Sequence, residues 1–373
     1  MLGATGSIGI QTLDIISKYP DRFKAEALSA ATSAEKLFDL ARCFRPGFCA
    51  LQKETKIPED LKGIEWFFGP EANEKMLLAA KPDDALCAVV GIAGLNSVLT
   101  ALDVCKRVLL ANKEALVTGG RLVMDKAARL GRELLPVDSE HSAIYQCLKA
   151  RENNPVKKLI LTCSGGAFRT WDDEAIYNAK ASDALKHPTW RMGGKITADC
   201  ASLMNKGLEI IEASWLFGMP EDRIDVVIHP ESVIHSMIEF TDGAYLAQLA
   251  CPDMRGPISY ALGHPQRLEY QGKELDFAEI GRLSFFKPDT QRFPCLEYAR
   301  EAIRRSGAYP VILNGANEEA VSAFLNDTIP FGKIAETVRF ALDTCPDTPV
   351  NSVDEVLEAD KAARRAAKCY LEE

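Results

Sequence analysis

The sequence predicts an α/β protein that begins with a Rossmann-like, doubly wound parallel sheet and continues through a central α+β domain to a C-terminal helical domain. The first observation is that short β-branched or leucine-rich runs alternate with helical stretches up to about residue 137. Residues 25–29, 85–90 and 107–110 are three of these runs, and such alternation is typical of βαβ units. The second is a glycine-rich turn near residue 3, where the first strand of such a sheet leads into its first helix.

The rest of the chain has a different pattern, which predicts two further domains and a connection between them. A buried strand at 158–162, a long helix near 200–217 and the strand pair 226–228 and 236–240 indicate the α+β domain. Apolar positions three and four apart predict helices at 296–305, 316–325 and 332–342. The predicted division is 1–137, 138–260, a connecting segment at 261–292 that is rich in Pro, Gly and charge, and 293–373.

Composition excludes several classes of protein. The 373 residues are 47% hydrophobic, as in packed globular proteins, and no apolar run reaches the length of about 18 residues that spans a bilayer. The net charge of -9 argues against general binding to nucleic acid or anionic membranes, because the protein lacks the broad positive potential that such binding needs. The eleven cysteines are scattered through apolar segments and no signal peptide precedes the glycine turn, so we expect a reduced, cytoplasmic protein.

The glycine-rich turn has the sequence Gly3-Ala-Thr-Gly6-Ser-Ile-Gly9 and opens a predicted helix. Glycines let backbone amides approach a pyrophosphate, so the turn predicts a dinucleotide site; a purely structural turn is the alternative. The second strand ends at Ala31-Thr32-Ser33 without an acid to hold an NAD ribose, which favours NADP. Only Met1 and Leu2 precede Gly3, fewer than the about five residues of a usual strand, so we expect the first strand to be incomplete.

A charged motif follows the predicted strand at 107–110. Asn112, Lys113 and Glu114 come directly after it, at the edge where ligands bind in doubly wound sheets. Lys113 is therefore a candidate for binding an anionic substrate. An ordinary polar helix start is the alternative, since it would contain the same residue types.

Three acids form a candidate metal site. Asp138 and Glu140 follow a predicted strand, and residues two apart in extended chain face the same way, so both carboxylates would point at one ion. Solvated acids or a helix N-cap are the alternatives. Glu209 adds a third carboxylate on a helix where Asn205 and Lys206 share its side. Oxygen ligands without nearby Cys or His spacing favour Mg²⁺ or Mn²⁺ over zinc.

Two further segments are candidate ligand contacts. Ser164 follows a strand and precedes two glycines, so this turn could donate a hydroxyl and amides to phosphate; a plain turn is the alternative. The glycine-rich segment 187–195 carries Trp190, which favours a lid over bound ligand; a tryptophan that fills a local hydrophobic gap is the alternative. His229 and His235 lie on or beside buried strands, and we expect both to be core histidines.

Six motifs in this order resemble the 1-deoxy-D-xylulose 5-phosphate reductoisomerase family, and the resemblance covers nearly the whole chain. The motifs are Gly-Ala-Thr-Gly-Ser-Ile-Gly, Leu-Ala-Asn-Lys-Glu, Pro-Val-Asp-Ser-Glu-His, His-Pro-Thr-Trp-Arg-Met-Gly, Met-Asn-Lys-Gly-Leu-Glu and Ile-His-Pro-Glu-Ser-Val-Ile-His-Ser-Met. The resemblance implies an oxidoreductase that uses NADPH and Mg²⁺ or Mn²⁺ to rearrange 1-deoxy-D-xylulose 5-phosphate and reduce the product to 2-C-methyl-D-erythritol 4-phosphate. This reaction belongs to the non-mevalonate route to isoprenoid precursors, and the family implies a homodimer.

The resemblance also implies roles for single residues. It assigns NADPH to residues 1–137 and the metal and substrate to 138–260. The metal ligands would be Asp138, Glu140 and Glu209, and the catalytic residues would be Lys113, Glu140, His187 and Trp190. Substrate contacts would come from Lys113, Ser139, Glu140, Ser164, His187, Cys200, Asn205, Lys206 and Glu209. NADPH contacts would come from Thr5, Gly6, Ser7, Ile8, Ala31, Thr32, Ser33, Asn112, Glu114 and Gly193.

Two positions depart from the family's usual pattern. Cys200 stands where the family generally has a serine that contacts phosphate, and a thiol is a poorer donor than a hydroxyl; Ser202 is the nearby alternative. Ala31-Thr32-Ser33 replaces the usual glycine and basic or polar residue, which predicts a weaker preference for NADPH.

Two other functions compete with this interpretation. A different NADP-linked dehydrogenase, of the semialdehyde or homoserine type, would share the glycine turn but would not need three converging acids. A non-catalytic nucleotide-binding or scaffold protein would need neither the metal motifs nor the lid.

Overall fold

The computed structural model describes residues 1–185, 193–269 and 272–372. The strands within these ranges are β1 (Ala27–Ala30), β2 (Phe48–Leu51), β3 (Glu65–Phe68), β4 (Asp84–Cys87), β5 (Arg107–Leu110), β6 (Glu133–Pro136), β7 (Val156–Cys163), β8 (Ile224–Ile228), β9 (Ile234–Phe240) and β10 (Tyr245–Leu249). The helices are α1 (Ser7–Lys18), α2 (Ala34–Phe44), α3 (Ala72–Ala80), α4 (Gly94–Val104), α5 (Lys113–Leu130), α6 (Ser139–Ala150), α7 (Asp173–Tyr177), α8 (Ala181–Ala184), α9 (Gly194–Ala201), α10 (Met204–Phe217), α11 (Arg255–Gly263), α12 (Phe277–Ile280), α13 (Cys295–Arg305), α14 (Tyr309–Leu325), α15 (Gly332–Thr344) and α16 (Val353–Glu372).

The chain folds into two compact units whose segments interleave along the sequence. Unit 1 contains Met1–Ala115, Val123–Ser142 and Asp253–Gly272, and unit 2 contains Leu116–Leu122, Ala143–Pro252 and Lys273–Glu373. Unit 1 therefore holds β1 to β6, and unit 2 holds β7 to β10 together with the C-terminal helices. The sequence-based boundaries at 137, 260 and 292 stay predictions.

The parallel sheet of unit 1 is completed by the first few residues of the chain. β1, β2 and β3 pair in parallel, and so do β4, β5 and β6. Between these groups, the Ser29 amide donates to the Met1 carbonyl at 3.0 Å and the Leu2 amide donates to the Leu86 carbonyl at 2.9 Å. The Ala88 amide returns a bond to the Leu2 carbonyl at 3.0 Å. Met1 and Leu2 thus bond on both sides and link the two groups into the predicted doubly wound arrangement.

A later segment of the chain returns to unit 1. Helix α11 packs against α1 and β6. Arg255 Nε lies 2.9 Å from Asp14 Oδ2 on α1, and a guanidinium nitrogen of Arg107 on β5 donates to the His264 carbonyl at 2.7 Å. Residues 255–264 are thus joined to unit 1 by these polar contacts and by the buried apolar residues Ile258, Ala261 and Leu262 of α11.

The four strands of unit 2 form a mixed sheet in the order β10-β9-β7-β8. Only β7 and β8 pair in parallel among its described neighbours, and the other pairs are antiparallel. These strands contain the runs that the sequence predicts at 158–162, 226–228 and 236–240. The helix predicted near 200–217 is instead two helices, because Leu203 has a left-handed backbone with φ 59° and Ser202 Oγ accepts the Met204 amide.

The C-terminal helices complete the core of unit 2. α13, α14 and α15 contain the three helices that the sequence predicts, and α16 packs along α14. Phe331 is central to this core: its ring lies 4.7 Å from that of Phe168 and 5.6 Å from that of Phe324, both in edge-to-face geometry. None of the helices in the described ranges combines the length and the apolar character that crossing a bilayer requires.

Candidate active site

The glycine-rich turn joins the short first strand to α1 in a way that only glycine allows. Gly3 has φ +83°, and a Cβ there would lie 2.6 Å from the Ala88 carbonyl oxygen. A Cβ on Gly9 would lie 2.4 Å from the Gly3 carbonyl oxygen, so the helix can begin this close to the loop only without a side chain. Among the described residues no side chain caps α1 at Gly6. The amide-rich, partly positive end of α1 is therefore available to an anion.

The end of β1 presents the predicted 2′-phosphate turn. Ala31 and Thr32 are exposed, and Ser33 stands at the amino end of α2. The Gln52 amide donates to the Ala31 carbonyl at 3.2 Å, which ties the turn to the end of β2. The turn offers two hydroxyls and a helix amino end to a phosphate, and its own three residues include no cation.

Asn112 joins the amino end of α5 to the loop that follows β4. Its Oδ1 accepts the Ala115 amide at 3.0 Å, which caps the helix. Its Nδ2 donates to the carbonyls of Val89 at 2.7 Å and Gly91 at 3.0 Å, and to Glu114 Oε2 at 3.1 Å. The sequence motifs do not predict this loop, although Gly91 and Gly94 after a strand are a signal for close approach at the sheet edge.

Lys113 and the first two predicted metal ligands lie together in unit 1. Lys113 is 9% exposed, and its Nζ lies 2.7 Å from Asp138 Oδ2. Asp138 and Glu140 bring one carboxylate oxygen each within 4.8 Å of the other. Ser139 Oγ donates to Glu140 Oε2 in a short hydrogen bond. The fold thus brings the predicted residues together, with the Lys113 ammonium against Asp138 and the Glu140 carboxylate next to Asp138.

The reason that Asp138 and Glu140 meet differs from the one that the sequence predicted. β6 ends at Pro136, and Glu140 lies in the first turn of α6 rather than in extended chain. Asp138 Oδ1 accepts the Glu140 amide at 3.1 Å and approaches the His141 amide at 3.5 Å. Asp138 and Glu140 therefore do not share an extended strand, contrary to the sequence-based prediction, because Asp138 caps α6 while it also pairs with Lys113.

The third predicted ligand lies in a buried polar cluster at the start of α10 in unit 2. Asn205 Nδ2 donates to Glu209 Oε1 at 2.5 Å, and Lys206 Nζ donates to Glu209 Oε2 in a shorter contact. Lys206 is 2% exposed and Glu209 is 1% exposed. Burial strengthens the electrostatic attraction between the Lys206 ammonium and the Glu209 carboxylate.

The predicted phosphate turn lies beside the end of α9. Gly165 and Gly166 both have positive φ, and the Gly166 amide donates to Ser164 Oγ at 3.4 Å. A Cβ on Gly166 would lie 2.5 Å from the Cys200 carbonyl oxygen, so the turn packs directly on the helix that carries Cys200. Ser202 donates its hydroxyl proton to the Asp199 carbonyl at 3.2 Å and is buried. The Ser202 hydroxyl therefore already forms its hydrogen bonds within the junction of α9 and α10.

The two strand histidines are buried, as the sequence predicts. His229 Nε2 accepts the amides of Val233 at 3.1 Å and Ile234 at 3.2 Å, and its Nδ1 lies 3.0 Å from the Ser284 carbonyl oxygen. Burial lowers the pKa of His235 to about 4. These contacts make His229 a structural residue of the loop after β8.

The predicted lid is only partly described. His187 and Trp190 lie outside the described residues. Gly193 stands at the amino end of α9, where its carbonyl accepts the Thr197 amide at 3.1 Å and the Thr197 hydroxyl at 2.9 Å.

Comparison with known proteins places these motifs in one family. The family model of 1-deoxy-D-xylulose 5-phosphate reductoisomerase matches residues 1–120. Two models of C-terminal domains of the same family match residues 134–217 and 249–366. The reductoisomerase of Ralstonia nicotianae is 46% identical over 381 residues, which cover 100% of this chain and 97% of that protein. That of Cupriavidus taiwanensis is 47% identical over 99% of this chain and 96% of its own length.

Solved structures agree over the full length. The Zymomonas mobilis reductoisomerase in complex with NADPH superposes with a TM-score of 0.92 at 40% identity, covering 100% of this chain and 98% of that one. A reductoisomerase in complex with NADPH, fosmidomycin and magnesium gives a TM-score of 0.92 at 39% identity, covering 100% of this chain and 97% of that one. The chain therefore belongs to the 1-deoxy-D-xylulose 5-phosphate reductoisomerase family.

Proposed function

We propose that this protein is an NADP-dependent oxidoreductase that rearranges 1-deoxy-D-xylulose 5-phosphate and reduces the product to 2-C-methyl-D-erythritol 4-phosphate, with NADPH and a divalent metal ion. The observation that carries this proposal is the full-length likeness, at a TM-score of 0.92, to a reductoisomerase solved with NADPH, fosmidomycin and magnesium. The reaction belongs to the non-mevalonate route to isoprenoid precursors.

Asp138, Glu140 and Glu209 are the residues that would hold the metal ion. All three offer carboxylate oxygens, which are the hard ligands that Mg²⁺ and Mn²⁺ prefer. The hydrogen bonds to Asp138 and Glu209 keep these groups in acceptor roles, as ionised carboxylates require. When bound, the ion supplies Lewis acidity toward the carbonyl and hydroxyl oxygens of the substrate.

The glycine turn fits a dinucleotide pyrophosphate, since side chains on Gly3 or Gly9 would fill the space that the backbone occupies. We assign NADPH to Thr5, Gly6, Ser7 and Ile8, to the turn Ala31-Thr32-Ser33, and to Asn112, Glu114 and Gly193. When bound, NADPH supplies the hydride for reduction of an aldehyde. Asn112 would fix one wall of this site, because it joins α5 to the loop after β4.

The remaining site residues would bind and orient the substrate. We assign Lys113 to stabilising negative charge on the substrate, because it is nearly buried and a carboxylate holds its ammonium in place. Ser139 and Glu140 would contact the substrate beside it. Ser164, Asn205 and Lys206 would hold the phosphate, with a weaker contact from Cys200. His187 and Trp190 stay predicted substrate contacts, with Trp190 excluding water.

The decisive experiment follows the loss of NADPH absorbance when 1-deoxy-D-xylulose 5-phosphate and Mg²⁺ or Mn²⁺ are added. We expect oxidation that a chelator abolishes and that Glu209→Gln reduces strongly. Glu297→Gln, on an exposed part of α13, is the matched control and should retain activity. A well-folded wild-type protein that oxidises NADPH with homoserine or a semialdehyde, but not with the sugar phosphate, would favour the rival dehydrogenase.

We also infer a cytoplasmic homodimer. All eleven cysteines are free thiols, which supports a reducing compartment. The dimer is supported by the family resemblance alone. Light scattering should then give twice the 40.9 kDa of one chain, and a monomeric mass at assay concentration would contradict it.

A further inference from the structure

Helix α9 is fastened to α14 by a buried polar contact that has no part in the chemistry proposed above. Asn317 Nδ2 donates to Asp199 Oδ1 at 2.8 Å. The other carboxylate oxygen, Asp199 Oδ2, lies 2.9 Å from Lys195 Nζ, one turn earlier on α9. Asp199 is 1% exposed and Asn317 is fully buried.

Such a contact has a strong orienting effect because of its burial. A carboxylate removed from water is costly unless charged or hydrogen-bonding groups satisfy it. Here one oxygen is satisfied from α14 and the other from α9 itself, so rotation of α9 would break at least one contact. At the opposite end of α9, Gly194 lies near Leu325 of α14, since an added Cβ would be 3.4 Å from Leu325 Cδ1. α14 therefore lies against both ends of α9.

The two ends of α9 carry residues that the proposed function assigns to ligands. Gly193 stands at its amino end and Lys195 lies in its first turn, and both belong to the segment 187–195 that the sequence predicts as a lid. Cys200 lies near its carboxyl end, where its carbonyl packs against Gly166 of the phosphate turn. A small shift or rotation of α9 would consequently displace a cofactor position and a phosphate position together.

We propose that Asp199 and Asn317 are positioning residues, which hold α9 so that Cys200 and Gly193 are presented to the substrate phosphate and the cofactor. Asn317 fixes Asp199, and Asp199 in turn fixes Lys195 in the first turn of α9. The C-terminal helical region thereby contributes to the site without touching substrate. This inference rests on the proposed function of Cys200 and Gly193.

The test uses the full-length enzyme and a pair of matched substitutions on α14. Asn317→Leu removes the contact with α9, and Asn314→Leu removes an equally buried amide whose Nδ2 donates to Glu318 on α14 itself. We expect Asn317→Leu to raise KM for NADPH and to raise KM for the sugar phosphate about tenfold, with kcat changed less than about twofold, because binding of both ligands is weakened equally in the ground state and the transition state. We expect Asn314→Leu to lower Tm comparably and leave KM unchanged. Equal KM values in both variants would overturn the proposal.

An exchange of the two side chains separates positioning from simple loss of stability. Asn317→Asp alone places two carboxylates against each other, and Asp199→Asn alone removes the ion pair with Lys195. The double variant Asp199→Asn with Asn317→Asp restores an amide-to-carboxylate hydrogen bond between α9 and α14 in reversed order, although not the ion pair with Lys195. We expect its KM to return to within about threefold of the wild type, whereas each single variant stays about tenfold above it. A double variant as impaired as the worse single variant would count against the proposal.

A readout that needs no activity distinguishes this inference from the proposed function. We would measure the alkylation rate of Cys200 by iodoacetamide, identified by peptide mass, in the wild type, Asn317→Leu and Asn314→Leu. A loosened α9 should react about threefold faster or more in Asn317→Leu alone. An inactive wild type with this difference intact would refute the proposed function and leave the positioning role, whereas equal rates would refute the positioning role itself.

Discussion

At the scale of single residues, Asp138 combines two roles that a substitution can separate. Oδ1 accepts the Glu140 amide at the start of α6, and Oδ2 pairs with Lys113. Asparagine is about as good an N-cap as aspartate but lacks the charge. We expect Asp138→Asn to weaken Mg²⁺ binding and to lower kcat/KM by about 100-fold or more. Asp138→Ala should in addition lose about 1 kcal/mol of capping.

Two measurements check this separation. Mg²⁺ titration by calorimetry should show weakened binding in both variants, and urea unfolding should show a greater loss of stability in Asp138→Ala than in Asp138→Asn. Mg²⁺ affinity that is unchanged in Asp138→Asn would show that this carboxylate is a helix cap only.

Cys200 gives a second prediction at this scale, in the direction of improved function. Cys200 is half-buried, and the nearest alternative hydroxyl, on Ser202, donates to the Asp199 carbonyl. A hydroxyl is a better donor to phosphate than a thiol, and one such hydrogen bond is worth about 1 kcal/mol. We expect Cys200→Ser to lower KM for the sugar phosphate about fivefold. Steady-state kinetics with Cys200→Ala as the control checks this, and equal KM in serine and alanine variants would exclude a phosphate contact at position 200.

At the scale of elements, the sequence predicted which segments are strands and helices better than it predicted where they break. The runs at 107–110 and 158–162 were assigned from their apolar patterns, which burial imposes directly. The break between α9 and α10 at Leu203 is not predicted by the sequence, because a positive φ at one residue does not change the spacing of apolar residues in a helical pattern. Glu140 was likewise assigned to extended chain, since two acids after a strand do not reveal whether the next turn is helical.

The junction of the glycine turn and α1 carries a prediction that belongs to these elements. Gly9→Ala would place a Cβ 2.4 Å from the Gly3 carbonyl oxygen, so the first turn of α1 must move away from the loop. We expect NADPH affinity to fall about tenfold or more, measured by the fluorescence change on NADPH binding. Gly63→Ala is the control, because a Cβ there meets nothing within 4 Å. Unchanged NADPH affinity in Gly9→Ala would remove the cofactor from this turn.

At the scale of the whole molecule, the two units interleave in a way that no local pattern reveals. Leu116–Leu122 belongs to unit 2 although it lies within α5, and Asp253–Gly272 belongs to unit 1 although it follows the strands of unit 2. The periodicity of apolar residues shows which face of a helix or strand is buried, but it does not show which of the two units that face packs against. In α5, the assignment depends on contacts such as that of Gly120 with Trp215, which lie far apart in sequence.

The pH dependence of stability is a property of the folded molecule as a whole, and the burial of His235 determines the sign of this residue's contribution. Burial lowers the pKa of His235 to about 4, whereas an unfolded histidine titrates near 6.5. As pH falls below 6.5, the unfolded chain binds a proton that the folded protein does not, so stability declines until about pH 4 and then levels off. Between pH 7 and pH 5 this residue should cost about 2 kcal/mol of unfolding free energy.

Urea unfolding of the wild type and His235→Gln at both pH values isolates this contribution, because the carboxylates that also titrate are common to both proteins. Glutamine carries no titratable proton, so the variant should lose about 2 kcal/mol less than the wild type between pH 7 and pH 5. Parallel losses in the two proteins would mean that His235 takes up its proton in the folded state as readily as in the unfolded chain. Its burial would then exert no control over the acid stability of the molecule.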